Sequence, residues 1–514
     1  MAPREEEARA SNSGSEQEHR LSSDLDLEKD SDATVGSIVP KTEVDFLVSF
    51  SGEDDPRSPK HFSTARKWLI VAIISSTSLC VACTSSLYTG TYGQIEKDLH
   101  ASEIVTTLGL SIFVVGLGLS PMILAPLSEF YGRKPVYVVS MFFFVIWIIP
   151  CAVARNIETL IVARFFNGFA GAAFLSVAGG TVGDLFPKQK LQAPMMVYTA
   201  SPFLGPELGP VIGNFINSYL DWRWSFYILL IWAFAQWVSI CLLVPETYHP
   251  VLLRREAQRL RTETGDERYY APIEKMDKSI SQTIIRSCYR PFLLLTLEPM
   301  CLCLCLFCSV LLGVLYLFFG AFGLIFKNNY GFNLWQVGLS FLGITVGMII
   351  GIGTNPLWHR NFMRLLQEHQ AKTGTAGSSE PEFRLPPAVG GAPLVTIGLL
   401  WFAWTTYPSV HWIVPIIGSG IFGAGVIMIF SGVFTFLVDA YPLYAASALA
   451  ANSFSRSMFA AAFPLFGQAM FRNLGYQWAG FLLAMITLVL APFPYIFYKW
   501  GAKIRQHSRY AGAK

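Results

Sequence analysis

The residues with most chemistry to offer are ionisable groups set inside apolar runs. Glu207 lies in GPELGPVIGN (205–214), among Gly205, Gly209 and Gly213 at every fourth position and beside Pro206 and Pro210. Such a run would break a helix in water, whereas in a bilayer neighbouring helices re-satisfy the freed backbone groups. Glycines four apart share one face and let another backbone approach, and the prolines kink the axis. A carboxylate at that depth is expensive, and one that can exchange a proton as its surroundings change is a candidate proton carrier. The competing reading is a tight packing seam. Arg164, in ARFFNGFAGAA (163–173), is the second buried ion. Counted along the helices from the far ends of their spans, Glu207 and Arg164 lie at depths of roughly 16 and 9 Å, within reach of each other directly or through water. Arg164 could equally cap backbone carbonyls. In APLSEFYGRKP (125–135), Glu129, Arg133 and Lys134 surround Gly132 in a short turn, where charges can bridge helix ends and lock one conformation. Asp184 and Asp439 stand at helix ends as interface or gating groups. Glu298 begins a span and Arg456 lies inside one, each facing either a cavity or an interface; Glu298 is kept as a second proton-coupling candidate.

The elements that must hold these groups follow from composition. The chain has 514 residues, 53% hydrophobic and only 14% charged, with a mean hydropathy of +0.44. A soluble protein of this length would not be so apolar, so this is a polytopic all-α membrane protein. Residues 1–66 are rich in Ser, Glu and Asp and are expected to form a disordered tail. Twelve apolar runs follow, at about 67–88, 104–126, 136–154, 159–183, 191–218, 224–244, 292–326, 334–357, 392–407, 411–438, 443–470 and 478–499. The nine cysteines fall mostly within them and lack His or acidic partners, so small apolar packing is favoured over a metal site.

A basic connection, 246–290, separates two groups of six spans, 67–245 and 291–500, before a tail at 501–514. The halves match: Asp184, Phe186 and Pro187 reappear as Asp439, Tyr441 and Pro442, and Gly213 and Trp224 as Gly467 and Trp478. Pro126 and Leu127 find Pro356 and Leu357. Two pseudo-symmetric six-helix bundles with the site between them are expected. Gly343, Gly347 and Gly351 in span eight repeat the spacing of span five, and the two glycine faces are expected to pack on each other. On the side holding the termini the connections carry 26 Lys and Arg, against five on the other, which puts both ends in the cytoplasm.

With WRWSFYILL (222–230), PETYHPVLLRREAQRLR (245–261), RLPPA (384–388) and YPLYAASALAANSFSR (441–456), these stretches resemble the major facilitator superfamily, in its twelve-span drug:proton antiporter branch, and among its members the fungal multidrug and secondary-metabolite exporters. The resemblance covers the chain after residue 60. It implies the major facilitator fold, alternating access, no cofactor, and antiport rather than symport from the span-five motif. Glu129 replaces the usual Asp of the first motif, Ala125 its leading Gly and Phe130 a basic residue, while Asn214 replaces the closing Gly of the third. The expected partners are protons, the lipid bilayer and a small hydrophobic or cationic substrate such as a drug, toxin, polyamine or secondary metabolite. Tyr198, Phe203, Trp232, Tyr316 and Phe319 are candidates to line its cavity. Nucleic acid is not expected as a partner, and the chain is expected to work as a monomer in the plasma membrane, with the vacuolar membrane as the other location.

Other classes lack their residues. No Gly-Lys pair occurs, so no phosphate-cradling GxxxxGK[ST] loop exists, and neither HExxH nor GxSxG appears, which argues against an ATP-driven pump and an enzyme. An uptake symporter and a non-transporting receptor on the same fold remain the alternatives.

Overall fold

The computed structural model describes residues 46–50, 55, 57–187, 190–275, 280–373, 379–506 and 508–511. The predicted tail lies outside the described residues as far as residue 45. Among the described residues all regular structure is helical. The first half holds α1 (Thr64–Leu87), α2 (Glu103–Leu119), α3 (Pro121–Tyr131), α4 (Arg133–Ala152), α5 (Ile157–Gly171), α6 (Gln192–Tyr219) and α7 (Arg223–Leu243). The second holds α8 (Pro299–Tyr330), α9 (Leu334–Ser340), α10 (Leu342–Gly353), α11 (Pro386–Thr405), α12 (Ile413–Ala440), α13 (Ala445–Leu474), α14 (Tyr476–Leu490) and α15 (Pro492–Gln506).

Among the described residues nine helical stretches are long and apolar enough to cross a membrane, or ten if α2 and α3, bent by 40° at their junction, form one span. The bend falls where Pro121, with no N–H to donate, opens α3. The helices left over, α6 and α13, have 28 and 30 residues, ample length for a span. With them the helices are consistent with the expected twelve spans. The connections are more ordered than the sequence suggests: 246–290 carries the helix His249–Thr264 and most of Ile280–Leu297, and Asn355–Thr373 extends span eight. The last helix also runs past residue 500, to Gln506.

The glycine faces require a correction. Those of span five do not meet those of span eight. Gly205, Gly209 and Gly213 lie along α1, where a Cβ on Gly209 would sit 2.7 Å from Leu87 N and 2.8 Å from Cys83 O. Gly343, Gly347 and Gly351 lie along α12, against Ile416, Gly420, Ala424 and Ile427. A four-residue glycine spacing says that some backbone comes close but not which one. Spans five and eight do touch, through other residues: Gly338 of α9 packs on Asn214 and the Pro210 carbonyl, and Phe215 faces Trp335 at 5.8 Å. The halves are further joined, on the face opposite the termini, by a double contact from Arg472 of α13 to Glu103 of α2 at 2.7 and 2.9 Å. The repeat seen in sequence is also a repeat of packing, for Gly213 meets Leu87 of α1 and Gly467 meets Leu317 of α8.

Candidate functional site

Span five holds its carboxylate in an unusual backbone. Pro202, Pro206 and Pro210 all lie inside α6, so three N–H groups are missing from consecutive turns and the helix relies on its neighbours. Glu207 is fully buried there, and neither carboxylate oxygen has a hydrogen-bond partner among the described residues. An ionised carboxylate in that position has no donor to replace its lost water. Across the junction of the halves, Tyr316 of α8 is 3.0 Å from Ser85 of α1 through their hydroxyls. Tyr316 is also within electrostatic reach of Glu207, Arg456 and Arg164.

Arg164 does not pair with Glu207. Its guanidinium donates to three carbonyls, Gly109 O at 3.1 Å, Thr84 O at 2.9 Å and Ser85 O at 3.1 Å. The rings of Tyr88 and Phe113 lie 4.5 and 4.4 Å from it. This is the carbonyl-capping arrangement. It fastens the end of α1 to α2 and leaves Glu207 without a counter-ion.

A belt of charge runs around the end of the bundle that carries the termini. Gly132, which caps the start of α4, has φ +100°, a backbone region that disfavours a side chain, and a Cβ there would collide with the Glu246 carboxylate. Glu246 accepts from the N–H groups of Arg133 (2.9 Å) and Lys134 (3.2 Å), satisfying donors at a helix start that have no partner in the helix. It also accepts from Thr247 and Tyr248, both at 2.9 Å. The Arg133 side chain reaches Asp184 at 3.3 Å and Ser128 at 2.6 Å and lies over the Tyr248 ring. His249 stands 3.9 Å from Asp184. Burial, and then the neighbouring Lys60 ammonium, hold its imidazole below the usual histidine range, so at neutral pH the contact is not an ion pair. Glu129, the acid expected in this lock, is exposed, and among the described residues it makes no ion pair. Asp184 takes that place.

The second half repeats the belt with different parts. Asp439 pairs with Arg384, from the start of span nine, at 2.8 Å. Glu382 receives both ends of the Arg505 fork at 2.8 Å each. Glu298 precedes the first turn of α8 and accepts from Ser508 Oγ (2.7 Å), Arg509 N (3.1 Å) and Tyr441 Oη (3.3 Å). It thus holds the segment after α15. Tyr198 donates to the Leu175 carbonyl at 3.1 Å; Phe203, Tyr316 and Phe319 are buried, and Trp232 is half-buried. Sequence reasoning missed Glu246, Arg384, Glu382 and Arg505 as fasteners. Two of the stretches that carried the resemblance, at 245–261 and 384–388, contain Glu246 and Arg384 and were the available signal. Among the described residues no cluster of His, Cys, Asp and Glu suits a metal ion.

Two pseudo-symmetric helix bundles with a buried acid, unpaired among the described residues, near their junction match the architecture of a secondary membrane transporter. The sequence profile of the Major Facilitator Superfamily matches residues 74–464. The chain is 84% identical to "Efflux pump atB" of Aspergillus terreus over the full length of both. It is 42% identical to "Probable drug/proton antiporter YHK8" of Saccharomyces cerevisiae, covering 88% of this chain and 87% of that one. A third relative, the "Major facilitator superfamily multidrug transporter mdrA" of Aspergillus fumigatus, is 41% identical over 89% of this chain and 75% of its own. Among solved structures, the xylose transporter XylE of E. coli superposes with a TM-score of 0.57 at 15% identity, covering 84% of this chain and 99% of that one. The human organic anion transporter MFSD10 gives 0.56 at 15% identity, covering 83% and 99%. The chain belongs to the Major Facilitator Superfamily and is a membrane transporter, not an enzyme.

Proposed function

We propose that this protein exports a small organic compound, a drug or a secondary metabolite, across the plasma membrane in exchange for protons, working as a monomer with both termini in the cytoplasm. The observation that carries the reading is Glu207, fully buried and, among the described residues, without a hydrogen-bond partner, inside a continuous helix that contains three prolines. A carrier must take up and release a proton as the two sides gain access in turn, and a carboxylate fixed by no donor is free to change charge. The names of its fungal relatives support efflux and proton antiport, and the 26-to-5 bias of Lys and Arg supports the orientation. The two halves, 67–245 and 291–500, act as the bodies that rock against each other. Arg133, Gly132, Asp184 and Asp439 hold the cytoplasmic ends in one arrangement, and Glu298 belongs with them as a fastener of the C-terminal segment.

The test is Glu207→Gln, which keeps the size and fixes the neutral form. In reconstituted vesicles at matched protein levels, uphill transport driven by a pH gradient should be lost while counterflow down a substrate gradient survives. Retention of proton-driven accumulation by the variant sinks the carrier role. Substrate accumulation in cells that rises on expression, instead of falling, would replace export with uptake by symport.

A further inference from the structure

The second cation inside a span, Arg456 on α13, is half-buried and has no fastening role. Its Nε is buried without a hydrogen-bond partner, and among the described residues no carboxylate or carbonyl bonds to the guanidinium. Three rings flank it, with the Cys305 and Cys308 thiols and the Tyr316 hydroxyl also nearby: Phe434, Phe430 and Phe203 have ring centroids 5.0, 5.4 and 5.5 Å from its central carbon. The rings are nearly parallel. Phe203 stacks on Phe430 at 4.9 Å and 26°, and Phe430 on Phe434 at 5.8 Å and 12°. Ring faces attract a cation, but they do not satisfy its five N–H donors, which match the two oxygens of a carboxylate. The contrast with Arg164, whose donors are taken up by three carbonyls, is direct.

The position suits a transported ligand. Phe203, Phe430 and Arg456 each stand about three helical turns in from the terminus-bearing ends of α6, α12 and α13, so they meet near mid-membrane. Phe203 belongs to the first half, the other three to the second. Phe203 also precedes Glu207 by four residues, which puts both on one face of span five, one turn apart.

We propose that Arg456 with Phe203, Phe430 and Phe434 forms the substrate subsite, and that it takes an aromatic carboxylate in its anionic form. The guanidinium holds the carboxylate as a fork and the three phenyl rings take the aromatic body. A lipophilic cation would meet an uncompensated positive charge there, so the hydrophobic-or-cationic substrate expected from the sequence narrows to an aromatic acid. This rests on the export reading above, with Glu207 as its proton carrier.

The experiment uses the purified full chain and four probes: 2-naphthoate, its uncharged amide, benzoate and tetraphenylphosphonium. Binding is measured for wild type, Arg456→Gln, Arg456→Lys and Phe203→Ala. Naphthoate should bind wild type with at least tenfold higher affinity than its amide, and more tightly than benzoate. Arg456→Gln should abolish that preference by weakening naphthoate binding far more than amide binding. Arg456→Lys should keep part of it, because charge remains and the fork does not. Phe203→Ala should weaken naphthoate and its amide alike. If wild type binds naphthoate no better than the amide, or if Arg456→Gln retains the preference, the subsite is wrong. Amide binding that is intact in Arg456→Gln shows that the variant is folded; if it is lost, the Lys variant decides, and its failure to prefer the acid also overturns the proposal. Proton-driven flux of tetraphenylphosphonium without naphthoate binding would overturn this subsite while leaving the antiporter reading intact. Naphthoate binding without any proton-driven flux would do the reverse.

Discussion

The two halves solve one fastening problem with opposite parts. In the first, the end of span six supplies a carboxylate, Glu246, to the amides at the start of span three, and the carboxylate lies against Gly132. In the second, the start of span nine supplies the carboxylate, Glu382, and the end of span twelve supplies a guanidinium, Arg505; the glycine beneath, Gly501, has moved to span twelve with it. The ion pairs beside these joints differ too. Arg133 and Asp184 have side chains only 12% and 16% exposed at 3.3 Å, while Arg384 and Asp439 are 34% and 33% exposed at 2.8 Å. A shorter distance does not make the stronger pair, because water screens the exposed one. Duplication conserved the place of the contact and left its chemistry free to change.

That comparison can be broken. Arg133→Ala leaves a half-buried Asp184 unpaired and should cost about 3 kcal/mol, whereas Arg384→Ala should cost less than about 1 kcal/mol. Thermal unfolding in detergent measures both, and equal losses would mean that burial does not set the difference. Next in size are Gly209→Leu and Gly347→Leu, which push a side chain into the backbone of α1 and of α12 respectively, at roughly 1–3 kcal/mol each. Each contact lies within its own half, Gly209 in the first and Gly347 in the second, and distorting either bundle should slow transport in protein that still reaches the membrane; wild-type flux would show that these contacts give way without cost. A smaller contrast is expected at the joints. Glu246→Gln keeps one oxygen for the helix start and should lose about 1 kcal/mol, while Glu382→Gln strips a charged fork and should lose about 2 kcal/mol. Reversal of that order would show that the amides outweigh the guanidinium. The smallest effect concerns pH. His249 has its pKa lowered by burial, so its neutral form contributes stability that is present above the unfolded histidine range and fades as pH falls through the lower folded value. His249→Gln should flatten that acid limb of the stability profile. An unchanged limb would assign the loss to carboxylates.

Much of this was legible in the chain. Asp184 and Asp439 were findable because equal spacing of ordered landmarks betrays duplication, and both proved to hold an arginine. The glycines announced close approach but could not name the partner, since periodicity records a face and not what it meets. Glu129 stands beside Gly132 in sequence but is exposed, and among the described residues the ion pair of that turn is made by Asp184 instead. Glu246 was hidden for the opposite reason: it pairs with amides 112 and 113 residues earlier, and no local pattern encodes that. Arg164 and Arg456 have the same residue type and similar apolar settings; only the geometry separates a guanidinium with three carbonyls from one with none.

Each fastening joint closes within its own half, and this bears on how the chain is made. Spans emerge in order and domains generally complete themselves from the N-terminal side. Once Tyr248 has been synthesised, Gly132, Arg133, Asp184 and Glu246 all exist, and nothing in that joint waits for span seven. The second joint requires Arg505, almost at the end of translation, so the later half must remain unfastened while five of its six spans are already in place.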